Sequence, residues 1–325
     1  MAVSDNQSWV VQPYANWRHN LGERLLFNAG VHGSIYTLSK SAVLEPRLSL
    51  AWSLAQQQTL SLAYGLHSQV QQPQLYFSSF ANGKLLPTRA HHVVLGYEYA
   101  WPRSSTLRAE AFYQALFDVP VSADSDAGQS YSALNALEES VNFALANQGR
   151  GRNYGLELSW QQLFTGRFYY LFNSTLYSST YQAADGIWRS TRYNGNFIFN
   201  TTLGREWAKE KNKGKVRILG LNGRMAYLGG FRVTPIDAAT SAQLGQTVYF
   251  DNEAFSIQQP NYFRLDLRVY WKWNRPRASS MLALDIQNAG NSKNLAFSYY
   301  DTEKQAIVKK YQLGLIPLLS YRVSF

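Results

Sequence analysis

The sequence predicts an all-β chain: an antiparallel up-and-down transmembrane β-barrel of about 13–14 strands, with short periplasmic turns and long extracellular loops. Three observations predict it. Apolar and polar residues alternate over stretches long enough to cross a membrane. The connections between those stretches are short and long in turn. The chain is rich in aromatics (Tyr 22, Phe 17, Trp 9) and holds only 16% charged residues, against a usual ~25%.

The clearest stretch is Tyr262 to Trp273, reading YFRLDLRVYWKW. Phe263, Leu265, Leu267, Val269, Trp271 and Trp273 fall on one face, and Tyr262, Arg264, Asp266, Arg268, Tyr270 and Lys272 on the other. Strands of soluble proteins run to roughly 5–6 residues. A tilted membrane strand needs ~9–11.

The other elements follow in order. Trp9, Val11, Pro13, Ala15 and Trp17 alternate with Val10, Gln12, Tyr14, Asn16 and Arg18. After a turn at Asn20–Glu23, Leu25, Phe27, Ala29, Val31 and Ile35 share a face. Next come Leu48, Leu50, Trp52 and Leu54, then Leu60, Leu62, Tyr64 and Leu66. An irregular piece from about Gln69 to Arg89 holds Pro73, the aromatics Tyr76, Phe77 and Phe80, and an Asn82-Gly83 turn. Val93 to Trp101 resumes the alternation, and Leu107 to Phe117 continues it after the Pro102–Ser105 turn. Val119–Arg150 is a long interruption with turn residues at Asp124–Gly128. In it Leu134, Leu137, Val141 and Leu145 recur at helical spacing, which predicts a short amphipathic helix. Tyr154–Trp160 and Phe168–Ser178 flank a turn at Thr165-Gly166. Phe197–Trp207 and Val216–Gly230 flank the charged turn at Lys209–Gly214. After a long loop, Phe231–Pro260, come the Tyr262 strand, then Leu282, Leu284 and Ile286. After the loop Asn291–Lys310, the chain ends on Leu319, Tyr321, Val323 and Phe325. Pro317 cannot donate to a ladder, which predicts a bulge or local unpairing there.

Thirteen strands result, with short turns after the odd-numbered ones and longer loops after the even-numbered ones. In lipid every backbone N–H and C=O needs a partner, so spanning strands close into a barrel. The apolar face then meets lipid, with Trp and Tyr near its ends.

Composition excludes other classes. No run of 18 apolar residues exists, which excludes a transmembrane helix. MAVSDNQSWV lacks a basic n-region and an apolar h-region, so an exported form of this sequence is expected to be mature or truncated. No cysteine is present, so there is no disulfide framework and no thiolate metal site. The net charge of +10 is spread thinly rather than gathered into a phosphate-tracking groove, and nucleic acid is not expected as a partner. The Lys209–Lys215 run reads as a solvated turn.

Several segments resemble a known family. They are Pro46-Arg47-Leu48-Ser49-Leu50, Asn147 with Gly149 through Leu158, Phe263 through Arg268, and Leu284 through Asn288 with Asn291. Gly314 through Pro317 and Ser320 through Phe325 complete the set. Together they resemble the C-terminal barrel portion of TonB-dependent outer-membrane receptors, in the form found in Bacteroidota. That resemblance implies a barrel of about 22 strands and a globular plug, so the plug and first strands are expected to be absent from residues 1–325, a single barrel segment. It implies uptake of a large nutrient (siderophore, glycan, peptide or cobalamin class), energised by TonB through the missing plug. Outer-membrane lipid and lipopolysaccharide, the barrel-assembly machinery and a surface lipoprotein are the other partners implied. The outer membrane is the implied location, with the C-terminus periplasmic. Tyr321, Val323 and Phe325 are similar to the signal read by the assembly machinery.

The candidate site residues fall into sets. Tyr76, Phe77 and Phe80 in one loop, and Arg189, Arg192 and Tyr193 in another, are candidate substrate contacts, since function gathers on loops over a rigid scaffold. The alternative is loop tips packed on their neighbours. Glu157, Arg264, Asp266, Arg268 and Asp285 are assigned to the polar lining, beside Arg152 and Arg322. The sharp reading is a charged translocation path; the plainer and preferred one is cross-strand ion pairing. Of the five histidines, His32, His67 and His92 fall on the polar face and His91 on the other, and none has zinc-site spacing. No catalytic residue, metal site or cofactor is expected, and the protein is not expected to be an enzyme. An autonomous passive porin-like barrel is the second reading of function, and a barrel-embedded hydrolase the third.

Overall fold

The computed structural model describes residues 7–102, 104–124, 128–136, 141–165, 167–211 and 215–325. Its centre is one antiparallel sheet, in which consecutive wall strands pair in chain order. The first wall strand, β1, is Val10–Val11 and Tyr14–Leu21, interrupted at Gln12 and Pro13. β2 is Leu25–Tyr36, β3 Ser41–Ala55, β4 Gln58–Gln69, β5 Thr88–Trp101, β6 Ser105–Ser122 and β7 Leu145–Thr165. β8 is Phe168–Gln182, β9 Phe197–Lys211, β10 Lys215–Leu228, β11 Tyr262–Arg275, β12 Ala278–Gln287 and β13 Ile316–Ser324. The thirteen strands are those the alternation predicts. The sheet is not closed: β1 pairs only with β2, and β13 only with β12.

Register explains why the pattern holds. Leu221, Val269, Leu284 and Leu319 are successive cross-strand partners, as are Leu219, Trp271, Leu282 and Tyr321. In an antiparallel pair, partners share a face, so these rows form one apolar surface. Its side chains are exposed, Trp271 by 47% and Leu221 by 46%. A wall one strand thick has nothing to bury them against but lipid. The intervening positions form the polar face.

Two expectations change here. The β2–β3 connection is only the four residues between Tyr36 and Ser41, because both strands run on past the alternating portion. Pro317 is in register with Ile286 with no shift, because an edge strand bonds one neighbour only and leaves the missing donor on its open side. The register shifts of the wall fall elsewhere, at Ser53/Ala55, Leu116/Val119, Val119/Pro120 and Gln162/Thr165.

The buried core lies in the loops at one rim. Helix α1 (Pro73–Phe77) opens with proline at its first turn, where the lost N–H costs nothing. Its Leu75 and Tyr76 pack with Leu85, Val141 and Leu145. Val121, Tyr181 and Ala183 form a second cluster with Leu134 and Phe255. Helix α2 (Ala238–Leu244) is capped by Asp237, whose side chain accepts from Thr240 N at 3.0 Å, and ends on Gly245 at φ 65°. The predicted helix through Leu134 to Leu145 is corrected: among the described residues of that stretch Ala133–Asn135 make a 3₁₀ turn, Val141 to Ala144 are not helical, and Leu145 begins β7. Leu137 lies outside the described residues, as do parts of the turns predicted at Pro102–Ser105, Asp124–Gly128, Thr165-Gly166 and Lys209–Gly214.

Candidate functional site

The polar face of the sheet is a paired surface. Arg268 Nη1 donates to Asp285 Oδ1 at 3.1 Å across β11 and β12. Arg264 Nε donates to Asp266 Oδ1 at 2.6 Å along β11, and that oxygen also accepts from Asn288 N at 2.9 Å. Arg108 spans to its register partner Glu98, with Nη2 to Oε2 at 2.6 Å. Glu157 makes no ion pair among the described residues, and its register partner on β6 is a second carboxylate, Glu110. The other four lining residues named from the sequence are thus brought together as two ion pairs. Arg152 is corrected to the apolar face: it shares parity with Tyr154 and Leu156, and its guanidinium lies 4.2 Å from the Trp188 ring.

Glu45 on β3 is a polar-face residue that the sequence reading missed. It is 2% exposed, and its carboxylate meets His32 Nδ1 at 2.7 Å, Arg47 Nη2 at 3.1 Å, Ser68 N at 2.8 Å and Ser68 Oγ. A buried charge is retained only when so surrounded. His91 stacks on Phe117 at 5.1 Å on the apolar face, and the His67 and His92 rings lie 6.0 Å apart on the polar one. Among the described residues no group of three or more metal-ligating side chains comes together.

At the loop rim the candidate contacts separate. Phe77 and Phe80 are exposed, by 63% and 107%, whereas Tyr76 is 3% exposed and is corrected to the loop core. Helical geometry explains the split: Leu75 and Tyr76 face the Val141 and Leu145 side, and Phe77 the other. Arg189 is held by Asp185 through two bonds, Nη1 to Oδ1 at 3.0 Å and Nη2 to Oδ2 at 2.6 Å. Burial raises the Asp185 carboxyl, but the bonds from Arg189 and from Ile187 N outweigh it, and its pKa lies below the usual value. Arg192 donates from N to Asn135 Oδ1 at 2.9 Å and from Nη1 to Asn135 O at 3.0 Å, so it too serves the loop scaffold. Tyr193 is exposed and sets its ring against Phe231. A cavity of about 540 Å³ opens beside Arg192, walled by Tyr131, Asn135, Phe143, Tyr249 and Asp251.

Asparagines hold this layer. Asn82 is fully buried and accepts from Leu145 N at 2.7 Å. Asn147 binds both groups of Leu86, accepting from N at 2.9 Å and donating to O at 3.0 Å. Asn294 does the same at Phe263, with 3.0 and 2.8 Å. Single asparagines carry no periodic signal, so Asn82 stood out in the sequence only as part of a turn, Asn147 only within its glycine-rich segment, and Asn294 not at all.

A meandering sheet with an exposed apolar face, a charged paired face and its buried core in the loops at one rim defines a β-barrel membrane protein. The model of a family described as "TonB dependent receptor-like, beta-barrel" matches residues 2–289, so this chain belongs to the TonB-dependent receptor barrel family, proteins of the outer membrane. Solved structures agree in fold. The pyoverdine receptor FpvA of Pseudomonas aeruginosa PAO1 superposes with a TM-score of 0.67 at 12% identity, over 98% of this chain and 42% of that one. The ferric-catecholate import receptor Fiu of E. coli K12 gives 0.65 at 11% identity, over 97% and 44%. The FrpB iron transporter of Neisseria meningitidis gives 0.61 at 12%, over 98% and 45%. The chain therefore spans less than half the length of these structures. No curated protein matches it.

Proposed function

We propose that this chain forms the C-terminal barrel wall of an energy-coupled receptor that imports a large nutrient of the siderophore, glycan, peptide or cobalamin class. The single observation that carries the reading is the division of labour between rims. The six odd-numbered connections are at most three residues long, while the loops that follow β4, β6, β8 and β10 pack into shared clusters and the loop after β12 joins them through Tyr300 N, which donates to Thr247 Oγ1 at 3.0 Å. These loops present Phe77, Phe80 and Tyr193 to solvent, and these are the proposed substrate contacts. The loop rim is proposed as extracellular and the turn rim as periplasmic. The polar face, with Glu157 and the Arg264–Asp266 and Arg268–Asp285 pairs, would then face a plug that TonB moves. Tyr321 and Val323, on the outward face of β13, and Phe325 just after it would be read by the assembly machinery. Iron-complex receptors among the structural neighbours support import in general and do not choose the substrate.

The test is the intact mass and N-terminal sequence of the natural polypeptide in outer membranes. A mass far above 36.9 kDa, with a plug preceding this segment, is expected. A mass near 36.9 kDa would overturn the proposal in favour of a passive barrel.

A further inference from the structure

The β9–β10 hairpin and the end of β11 place cations where the rest of that surface is apolar. Arg205 sits between Leu203 and Trp207 on the outward face of β9, and Lys209 follows on the same face. Lys215 and Arg217 precede Leu219 and Leu221 on β10, and Arg275 follows Trp271 and Trp273 on β11. All five cations are exposed. Among the described residues none of them forms an ion pair. The nearby carboxylates of β9, Glu206 and Glu210, alternate to the polar face, where Glu206 accepts from the Tyr270 hydroxyl.

Register sharpens the point. Lys209 is the direct partner of Arg217, and Arg217 of Trp273. Like charges directly opposite on one face cost stability, and among the described residues no carboxylate pairs with either cation. Aromatic rings border the pair: Arg205 Cζ lies 5.2 Å from the Trp207 ring, and Trp271 and Trp273 stack at 5.8 Å. The next row inward is Trp207, Leu219 and Trp271, the one after it is Arg205, Leu221 and Val269, and Leu203 follows on β9, all exposed. Beside those rows, an anion with an apolar tail matches the surface better than a soluble polyanion, because charge complementarity and exposed apolar area adjoin in one patch.

We propose that this patch binds an anionic phospholipid. Lys209 and Arg217 would take the phosphodiester, Arg205, Lys215 and Arg275 would flank it, and the acyl chains would lie along Leu203, Leu221 and Val269. The inference depends on the family's membrane setting and not on the substrate proposed above.

Native mass spectrometry of the receptor containing this chain, in micelles with equal phosphatidylglycerol and phosphatidylcholine, tests it. Preferential retention of phosphatidylglycerol is expected, falling about fivefold for each cation removed in K209Q/R217Q. R205Q/R275Q gives the same comparison at a second pair, and R224Q, on the polar face, leaves retention unchanged. Equal retention of the two lipids, or phosphatidylglycerol retention that persists in both double variants, would overturn the proposal. So would retention of lipopolysaccharide in place of phosphatidylglycerol.

Discussion

Tyr270 fills the space that a side chain on Gly220 would occupy. The two are register partners on β11 and β10, and a Cβ at Gly220 would fall 2.1 Å from Tyr270 Cζ. Tyr169 lies over Gly204 in the same way, with Cε1 at 2.2 Å. The ring covers the glycine backbone and its hydroxyl reaches Glu206, so a bare glycine and a long tyrosine act as one unit.

That unit predicts a contrast. G220A should cost about 1–3 kcal/mol, since the ring must leave its place. G223A should be neutral or slightly stabilising, because its Cβ meets only Leu267 Cδ2 at 3.6 Å. Urea unfolding of the barrel in detergent, followed by tryptophan fluorescence, checks both. Equal midpoints for the two variants would contradict the packing described.

The two ion pairs of β11 should differ in weight. Both are partly exposed, so the Arg268–Asp285 pair is worth under about 1 kcal/mol, and D285A should change little. Asp266 also accepts from Asn288 N, which no other side chain replaces. D266A, which removes that acceptor, should therefore cost about 1–2 kcal/mol more than D285A. The same unfolding experiment separates them.

Asn294 occupies both hydrogen-bonding groups of Phe263, and N294A should release the start of the long loop before β13. Faster amide exchange is expected at Phe263 and through residues 289–315, with the β9–β10 amides unchanged. Uniformly faster exchange would mean that the asparagine stabilises the whole sheet and not this anchor.

The Asp185–Arg189 clasp sets a pH dependence for its loop. The folded carboxyl titrates below its unfolded value of about 3.9. Its contribution is therefore present above that pH and is lost as pH falls through the lower folded value. Amides of Ile187 to Thr191 should stay protected at pH 7 and lose protection progressively as pH falls below the unfolded value of about 3.9. In D185N they should be equally open throughout.

Phe77 and Phe80 should be separable from Tyr76. F77A and F80A remove exposed rings, so folding is expected to be unchanged while the nutrient capture proposed above weakens. Y76A empties a buried site and should cost about 3 kcal/mol of loop stability. Limited proteolysis of the loops, set beside nutrient binding, distinguishes the two.

The wall was legible because a membrane strand imposes period two at every residue, and Tyr262–Trp273 obeys it without exception. The same rule puts Arg264, Asp266, Arg268 and Asp285 on one face, as found. The loops obey no period. Helical spacing of Leu134, Val141 and Leu145 was misleading, since those residues point into shared clusters from separate segments. Tyr76 and Phe77 are neighbours of like chemistry with opposite fates, and only the short α1 helix decides which turns inward. Glu45 gave no signal because its partners His32 and Ser68 come from two other strands.

The asparagine anchors address peptide groups and not side chains. Asn147 grips Leu86, and Asn294 grips Phe263, through backbone atoms that every residue except proline supplies in full. The gripped positions are thus chemically anonymous: their side chains can be exchanged without loosening the fastening. The loop sequences can then diverge while their moorings hold, and the architecture stands still.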